Sequence, residues 1–323
     1  MWQASGVRIW RSLEDVPADL GPTSVTIGNF DGVHLGHQHV VRQAREAAAR
    51  VADAGVVVVT FDPHPMAVLR PEHAPLTLTT VAERLDLLGR HGVDDALVVP
   101  FDRGVAAWSP QEFVDRVLVG ALQAAVVVVG ANFRFGHRAA GDVAFLREAG
   151  AAGGFEVEGI ALDGGPQVWS STYIRACLAA GDVEGAAEAL GRTYTVSGVV
   201  ARGERRGREL GYPTANVPVP TARASVADGV YAGWLRITDG TGSAGPWPAA
   251  ISVGTNPTFE GERARAVEAY VLDRTDLDLY DREVEVGFEH RLRGMRRFDG
   301  VEDLLAAMAD DVRRTRELAG PLD

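Results

Sequence analysis

Short valine-rich runs recur through the first half of the chain, at Val25–Ile27, Val56–Phe61, Ala96–Phe101, Ala125–Gly130 and Glu156–Leu162. Between them apolar residues return at helical spacing, as in Val40, Ala44, Ala48 and Val51. Near-continuous apolar strands alternating with amphipathic helices predict a parallel sheet covered on both faces. Two helix starts are marked by capping boxes: Thr80 with Glu83, and Ser109 with Glu112, the latter with Pro110 at the first helical position. Beyond Tyr194 the pattern becomes short alternating strands joined by Gly, Pro and Asp turns: Tyr194–Val200, Val230–Ile237, Ala249–Val253, Val267–Leu272 and Glu283–Phe288. That predicts an antiparallel barrel or sandwich. Val301–Leu318 closes the pattern as an amphipathic helix, with Leu304, Leu305, Met308 and Val312 on its apolar face. The Ala/Glu-rich piece that begins at Gly181 leads from one pattern to the other, and the domain boundary is expected at 186/187.

Composition narrows the chemistry. A length of 323 residues suits two domains, each with its own core. The net charge of −12, with no basic excess in either half, argues against general nucleic-acid binding. Every one of the 32 basic residues is arginine. Without lysine neither a P-loop nor a protein-kinase fold can be completed, so phosphate chemistry must rest on Arg, His, hydroxyls, backbone amides and metal. A single cysteine, Cys177, allows no internal disulfide. No leader is recognised, and no apolar run approaches the ~18 residues of a membrane span. The expectation is a cytoplasmic protein with no membrane or nucleic-acid partner, acting on small molecules as a monomer or weak homo-oligomer.

The densest chemistry in the first half lies in Ser24–Val41, SVTIGNFDGVHLGHQHVV. A strand runs into a turn holding Gly28, Phe30, Asp31, Gly32 and Gly36, then into a helix expected to start at His37. A helix N-terminus favours an anion, and His34 and His37 add donors. FDPHP (Phe61–Pro65) follows the second strand at the carboxyl edge, where such folds bind ligands. His64 either reaches a phosphate or is a rigid loop residue. GANFRFG (Gly130–Gly136) offers Asn132, Arg134 and two rings, Phe133 and Phe135, that either stack on a flat ring system or belong to the core. SSTYIR places the hydroxyls of Ser170, Ser171 and Thr172 at a helix start, with Arg175 about one turn on. Such a cluster is an N-cap or, paired with the arginine, a triphosphate site.

The His-x-Gly-His run resembles Rossmann-like nucleotidyltransferases. In order and spacing, the four segments resemble the adenylyltransferase half of bifunctional riboflavin kinase/FAD synthetases, over about residues 20–180. The resemblance implies that FMN attacks the α-phosphorus of ATP to give FAD and pyrophosphate. It implies that His34, His37 and Arg175 neutralise charge and Asn132 orients. Gly28, Phe30, Asp31, Gly36, Ser170, Ser171 and Thr172 are then expected at ATP, and Phe61, His64, Phe133 and Phe135 at the flavin. Trp169 departs from the family's smaller aliphatic residue.

In the second half, GVVARGERRGRELGYPTAN (Gly198–Asn216) crosses an Arg-rich loop into Pro213-Thr214-Ala215-Asn216. Taken alone, the loop's Arg205, Arg206 and Arg208 are equally a solvated surface, and the last four residues a Pro-initiated turn. The PTAN piece resembles the riboflavin-kinase signature, in which the threonine hydroxyl and asparagine serve Mg2+ and the phosphates of ATP. Gly203, Gly207 and Arg208 are expected at ATP, and Thr214 and Asn216 at Mg2+. Glu268 alternates with Tyr270 and Leu272, which puts a carboxylate on a face read as apolar. It falls on the family's catalytic glutamate, the expected base for a ribityl hydroxyl attacking the γ-phosphorus of ATP. The resemblance runs on through DGVYAGWLRI, SVGTNPTF and LRGMRRFD, to about residue 318. Ser252, Tyr270 and Asp281 depart from it, and Asp281 is strained if its φ is positive.

The fold class so implied is an α/β Rossmann-like nucleotidyltransferase domain with a parallel sheet (1–186), followed by an antiparallel β-barrel riboflavin-kinase domain with a C-terminal helix (187–323). ATP, riboflavin, FMN and FAD are its substrates and products. The alternatives from the residues themselves are a transferase acting on another phosphate, and a flavin-carrying module without turnover.

Overall fold

The computed structural model describes residues 6–161, 169–202, 211–240, 245–257, 263–274 and 276–319. The chain forms two compact units, Met1–Ser171 and Thr172–Asp323, dividing ahead of the boundary expected at 186/187.

The first unit contains β1 (Arg8–Trp10), β2 (Thr23–Ile27), α1 (Leu35–Ala48), β3 (Gly55–Asp62), α2 (Pro65–Leu69), α3 (Val81–Arg90) and β4 (Asp95–Pro100). There follow α4 (Arg103–Ala106), α5 (Pro110–Phe113) running into a π-wound stretch Val114–Ala121, β5 (Ala124–Gly130), α6 (Val143–Gly153) and β6 (Glu156–Ile160). Six strands lie in the order β1-β4-β3-β2-β5-β6, all parallel. Strand alternation sends Val57, Val59 and Val127 to one core and Val56, Val58 and Val126 to another, which is why the strands read as unbroken valine. The chain leaves β2 for β3 on one side and returns to β5 on the other. The carboxyl ends of β2 and β5 therefore form the switch point at which such sheets bind ligands.

Both expected capping boxes are present: the Glu83 carboxylate accepts from the Thr80 N–H at 2.7 Å, and that of Glu112 from the Ser109 N–H at 2.9 Å. The start of α1 differs from expectation. His34 is the N-cap and the helix begins at Leu35, not His37, because the His34 ring accepts from the His37 N–H.

The second unit begins within α7 (Ser171–Ala180) and continues through α8 (Val183–Leu190), β7 (Tyr194–Val199), β8 (Ala215–Pro218), β9 (Gly229–Ile237), β10 (Trp247–Pro257), β11 (Arg263–Val271), β12 (Glu283–Gly294) and α9 (Val301–Leu318). Its strands pair antiparallel in the order β7-β12-β9-β10-β11-β8. The Ala201 N–H donates to the Asn216 carbonyl at 2.8 Å and brings the two edges together, so the sheet is a nearly closed barrel rather than a sandwich. Val217, Tyr231, Ile251, Val267, Val286 and Phe288 fill it.

The C-terminal helix packs differently from expectation. Its fully buried line is Ala307, Asp311 and Thr315, with Leu304, Leu305, Met308 and Val312 only half-buried beside it. The reason is an ion pair: both oxygens of Asp311 accept from Arg293 at the end of β12, the closest contact being 2.7 Å.

The apolar face of α8 (Val183, Ala186, Ala189, Leu190) packs on β7 and β12, which accounts for the early division of the two units. A fragment from Thr172 to Asp323 is accordingly expected to fold. One starting at Thr193 exposes the surface that α8 covers and loses on the order of 4 kcal/mol of stability. Urea unfolding of the two fragments checks this; equal midpoints would refute it.

Candidate functional sites

The turn between β2 and α1 is shaped by its own sequence. Gly32 has φ 85°, while Phe30 (φ 49°) and Val33 (φ 42°) take left-handed backbone conformations that non-glycine residues rarely adopt. For β-branched Val33 this is strain, held in place because the side chain is fully buried. Phe30 and Asp31, expected at ATP, are both buried and support the loop from beneath. The Phe30 ring meets His37 edge-on at 5.2 Å. Asp31 accepts from the backbone N–H groups of Leu78 and Thr79, both at about 3.0 Å, which ties the loop to the start of α3. The Ser171 hydroxyl donates to the Asp31 carbonyl at 2.8 Å, so the structure joins two of the sequence segments.

His34 and His37 stack at 3.6 Å between ring centroids. A Cβ on Gly36 would stand 3.1 Å from the His34 ring and 3.5 Å from the Trp169 carbonyl, so a side chain there would press on the His34 ring of this stack. His37 is half-buried as a residue, yet its Nδ1 is sealed from water and has no hydrogen-bond partner among the described residues. Burial above all, then His34 and Arg84, holds its pKa well below the ordinary 6.5. Burial thus opposes the positive charge that the sequence expectation of a charge neutraliser would place on His37.

Beside this loop a cavity of about 1220 Å3 opens at the carboxyl edge of the sheet. It collects Gly28, Phe61, His64, Asn132, Phe133 and Phe135 from three of the expected segments. His64 caps α2, its Nδ1 accepting from the Met66 N–H at 3.1 Å. Phe133 stacks parallel to Phe135 at 5.5 Å, while Phe135 itself is buried against Phe113 and Phe145. Phe135 thus belongs mostly to the core and Phe133 presents the more open ring. Arg134 pairs with Asp142 at 2.6 Å. Asp142 also caps α6, and that N–H bond, with the arginine second, holds its carboxyl below the usual range. Sequence reasoning passed over the cavity's Arg70, Arg103 and Arg138, and buried Arg84, whose position on α3 reads as a solvated charge. Thr172 and Arg175 follow Ser171 on α7, in the second unit.

In the barrel, Glu268 on β11 stands directly opposite Asn216 on β8 and Ser252 on β10. Residues so paired present their side chains on the same face. That face is the outer one: Val267, Ala269 and Val271 are the buried set, whereas Glu268 and Tyr270 are half-buried. The sequence had put the carboxylate on the face read as apolar; the alternation runs the other way because the small Val/Ala/Val set fills the barrel. Tyr270, two residues on, meets Tyr212 edge-on at 5.2 Å, and Thr214 lies two residues before Asn216. Asp281 has φ 60°, the strained conformation anticipated for it. Gly203, Gly207 and Arg208, with Arg205 and Arg206, lie outside the described residues.

A parallel sheet with a histidine-capped helix and an aromatic cavity at its switch point, joined to a barrel presenting a carboxylate beside oxygen donors, defines a two-unit nucleotide-dependent transferase. The FAD synthetase family matches residues 16–171, and the riboflavin kinase family residues 190–319. The bifunctional riboflavin kinase/FMN adenylyltransferase of Pseudomonas fluorescens is 38% identical over 318 residues, 98% of this chain and 99% of that one. Its counterpart in Escherichia coli (strain K12) is 37% identical, covering 92% of each. The chain belongs to the bifunctional riboflavin kinase/FMN adenylyltransferase family. A crystal structure described as a macrolide-efflux protein from Streptococcus pneumoniae has a TM-score of 0.85 at 31% identity, covering 97% of this chain and 100% of that one. Among the described residues, no helix of this chain is long and apolar enough to cross a membrane.

Proposed function

We propose that the chain converts riboflavin to FMN and FMN to FAD, each step with its own ATP. The riboflavin-kinase residues lie in 187–323 and the adenylyl-transfer residues in 1–186. The observation that carries the first step is Glu268 held opposite Asn216 on neighbouring strands. A ribityl hydroxyl is a poor nucleophile, and Glu268 takes its proton as the oxygen attacks the γ-phosphorus of ATP, with ADP leaving. The Thr214 hydroxyl and Asn216 amide oxygen fit a hard cation, which needs only one or two protein ligands. Bound there, Mg2+ supplies charge neutralisation at the phosphates.

In the second step the FMN phosphate is already an anion and needs no base. Its oxygen bonds to the α-phosphorus of ATP and pyrophosphate leaves. Catalysis is then placement and charge stabilisation. The flavin ring lies against Phe133 and Phe61 in the cavity, with His64 and Asn132 at its edge. The N–H groups at the start of α1, with His34 and neutral His37, donate to phosphate oxygens, and Arg175 and the hydroxyls of Ser170 and Thr172 are assigned to ATP from the sequence. The enzyme works in the cytoplasm, as a monomer or weak homo-oligomer.

Riboflavin supplied with Mg-ATP is expected to yield FMN and then FAD. The second conversion is followed by the fall in flavin fluorescence when adenine stacks on the isoalloxazine. FMN and ATP mixed with the protein without any fall would contradict adenylyl transfer to FMN.

A further inference from the structure

Arg84 stands in the first turns of α3 and is only 4% exposed. Its neighbours on the buried face, Leu85 and Leu88, are apolar, and an apolar side chain would fill its place without the cost of burying a cation. Among the described residues no carboxylate lies within ion-pair distance of it. Asp31 and Asp62 act on it only through space, and burial, the larger influence, lowers its pKa. Its Nε is enclosed and has no hydrogen-bond partner among the described residues. Among the described residues, the one bond the guanidinium makes is from Nη1 to the Thr60 hydroxyl, at 3.1 Å.

That bond has a direction. Arginine can only donate, so the Thr60 oxygen accepts and its proton must go elsewhere. It goes to the Asn29 carbonyl, at 3.2 Å. On the other side the Gly28 N–H donates to the Val59 carbonyl at 3.0 Å. Two consecutive residues at the end of β3, Val59 and Thr60, thus grip the Gly28–Asn29 peptide at both ends. Gly28 and Asn29 line the cavity at the switch point. Thr60 is fully buried; without Arg84 its hydroxyl keeps the Asn29 carbonyl as acceptor but loses the donor that holds its oxygen in place and polarises the bond.

We propose that Arg84 is a positioning residue of the adenylyl-transfer site: through the Thr60 hydroxyl it fixes the Gly28–Asn29 peptide that lines the substrate cavity, and so sets where the reacting phosphates lie. This deepens the adenylyl-transfer reading above and rests on it. Charge alone is not its role; the donor-only guanidinium polarises a relay that crosses from α3 through β3 to the loop after β2.

The test compares Arg84→Met, Arg84→Lys, Thr60→Val and the Met/Val double variant in the full chain. FAD formation from FMN is measured as kcat and KM, and the urea unfolding transition of the first unit in the same molecules reports that it is folded. A displacement of 1 Å at reacting groups costs up to about 100-fold, and partial loosening of one peptide is expected to cost about 10-fold in kcat. Arg84→Met and Thr60→Val should each show that loss, with KM for FMN changed less than kcat. The double variant should be no worse than the worse single one, since both break the same relay. Arg84→Lys, also donor-only, should recover most of the rate. Losses that multiply in the double variant, or Thr60→Val at the parent kcat, would overturn the proposal even if Arg84→Met fails to fold. A parent chain that makes no FAD at all would instead overturn the adenylyl-transfer reading itself.

Discussion

Glutamine at position 268 is expected to lower FMN formation by about 100- to 10,000-fold, the usual contribution of a positioned base, while conversion of FMN to FAD continues unchanged. The substitution is nearly isosteric and lies on the outer, half-buried face of β11, so the Val267/Ala269/Val271 packing inside the barrel is untouched. What is lost is the ability to accept the ribityl proton as the new O–P bond forms. The strand pairing that sets Glu268 opposite Asn216 and Ser252 is a backbone register and survives the substitution. Flavins separated by chromatography after feeding either riboflavin or FMN give the two rates independently. A folded Glu268→Gln chain that had lost both conversions, or neither, would break the assignment of the base to the barrel.

Much of this arrangement was legible before any coordinates. The valine runs gave the parallel sheet because a strand buried on both faces has no polar side to show, and Thr80/Glu83 and Ser109/Glu112 marked helix starts that are present to the residue. Two strands were not seen. β1 is three residues long, too short for a period, and β8 begins inside the PTAN signature, where Pro213 reads as a turn. The direction in which Glu268 points was also hidden: Val-Glu-Ala-Tyr-Val alternates equally well either way, and only the curvature of the barrel decides that the small residues go inside. Arg84 was invisible for a related reason. In VAERLDLLGR it looks like one more charge on an amphipathic helix, and its burial follows from where α3 lands beside the end of β3, a tertiary fact with no local signal. Conversely, His34 and His37 were legible as donors at a helix N-terminus, but not as one ring capping the other's backbone N–H.

Alanine in place of His37 is expected to lower FAD formation by about 100- to 1000-fold, the cost of removing one donor aimed at developing negative charge, with riboflavin phosphorylation unaffected. The same substitution should alter the pH dependence of stability, and the sign follows from the chemistry. In the native chain burial, then His34 and Arg84, keeps the His37 pKa well below 6.5, the value near which it titrates when unfolded. Below about pH 6.5 the unfolded chain binds a proton that the native chain refuses, so stability is full above that pH and falls as pH drops toward the depressed native value. One such proton limits the slope to about 1.4 kcal/mol per pH unit. Removing the imidazole removes the proton-binding difference, so His37→Ala should show a flatter dependence between about pH 6.5 and pH 5 in the unfolding of the first unit. Urea midpoints of parent and variant across that range measure it. Equal slopes would mean that His37 is not held neutral by its surroundings. It would then meet the phosphates as a cation, and its contribution to FAD formation should grow, not fade, as the pH is lowered.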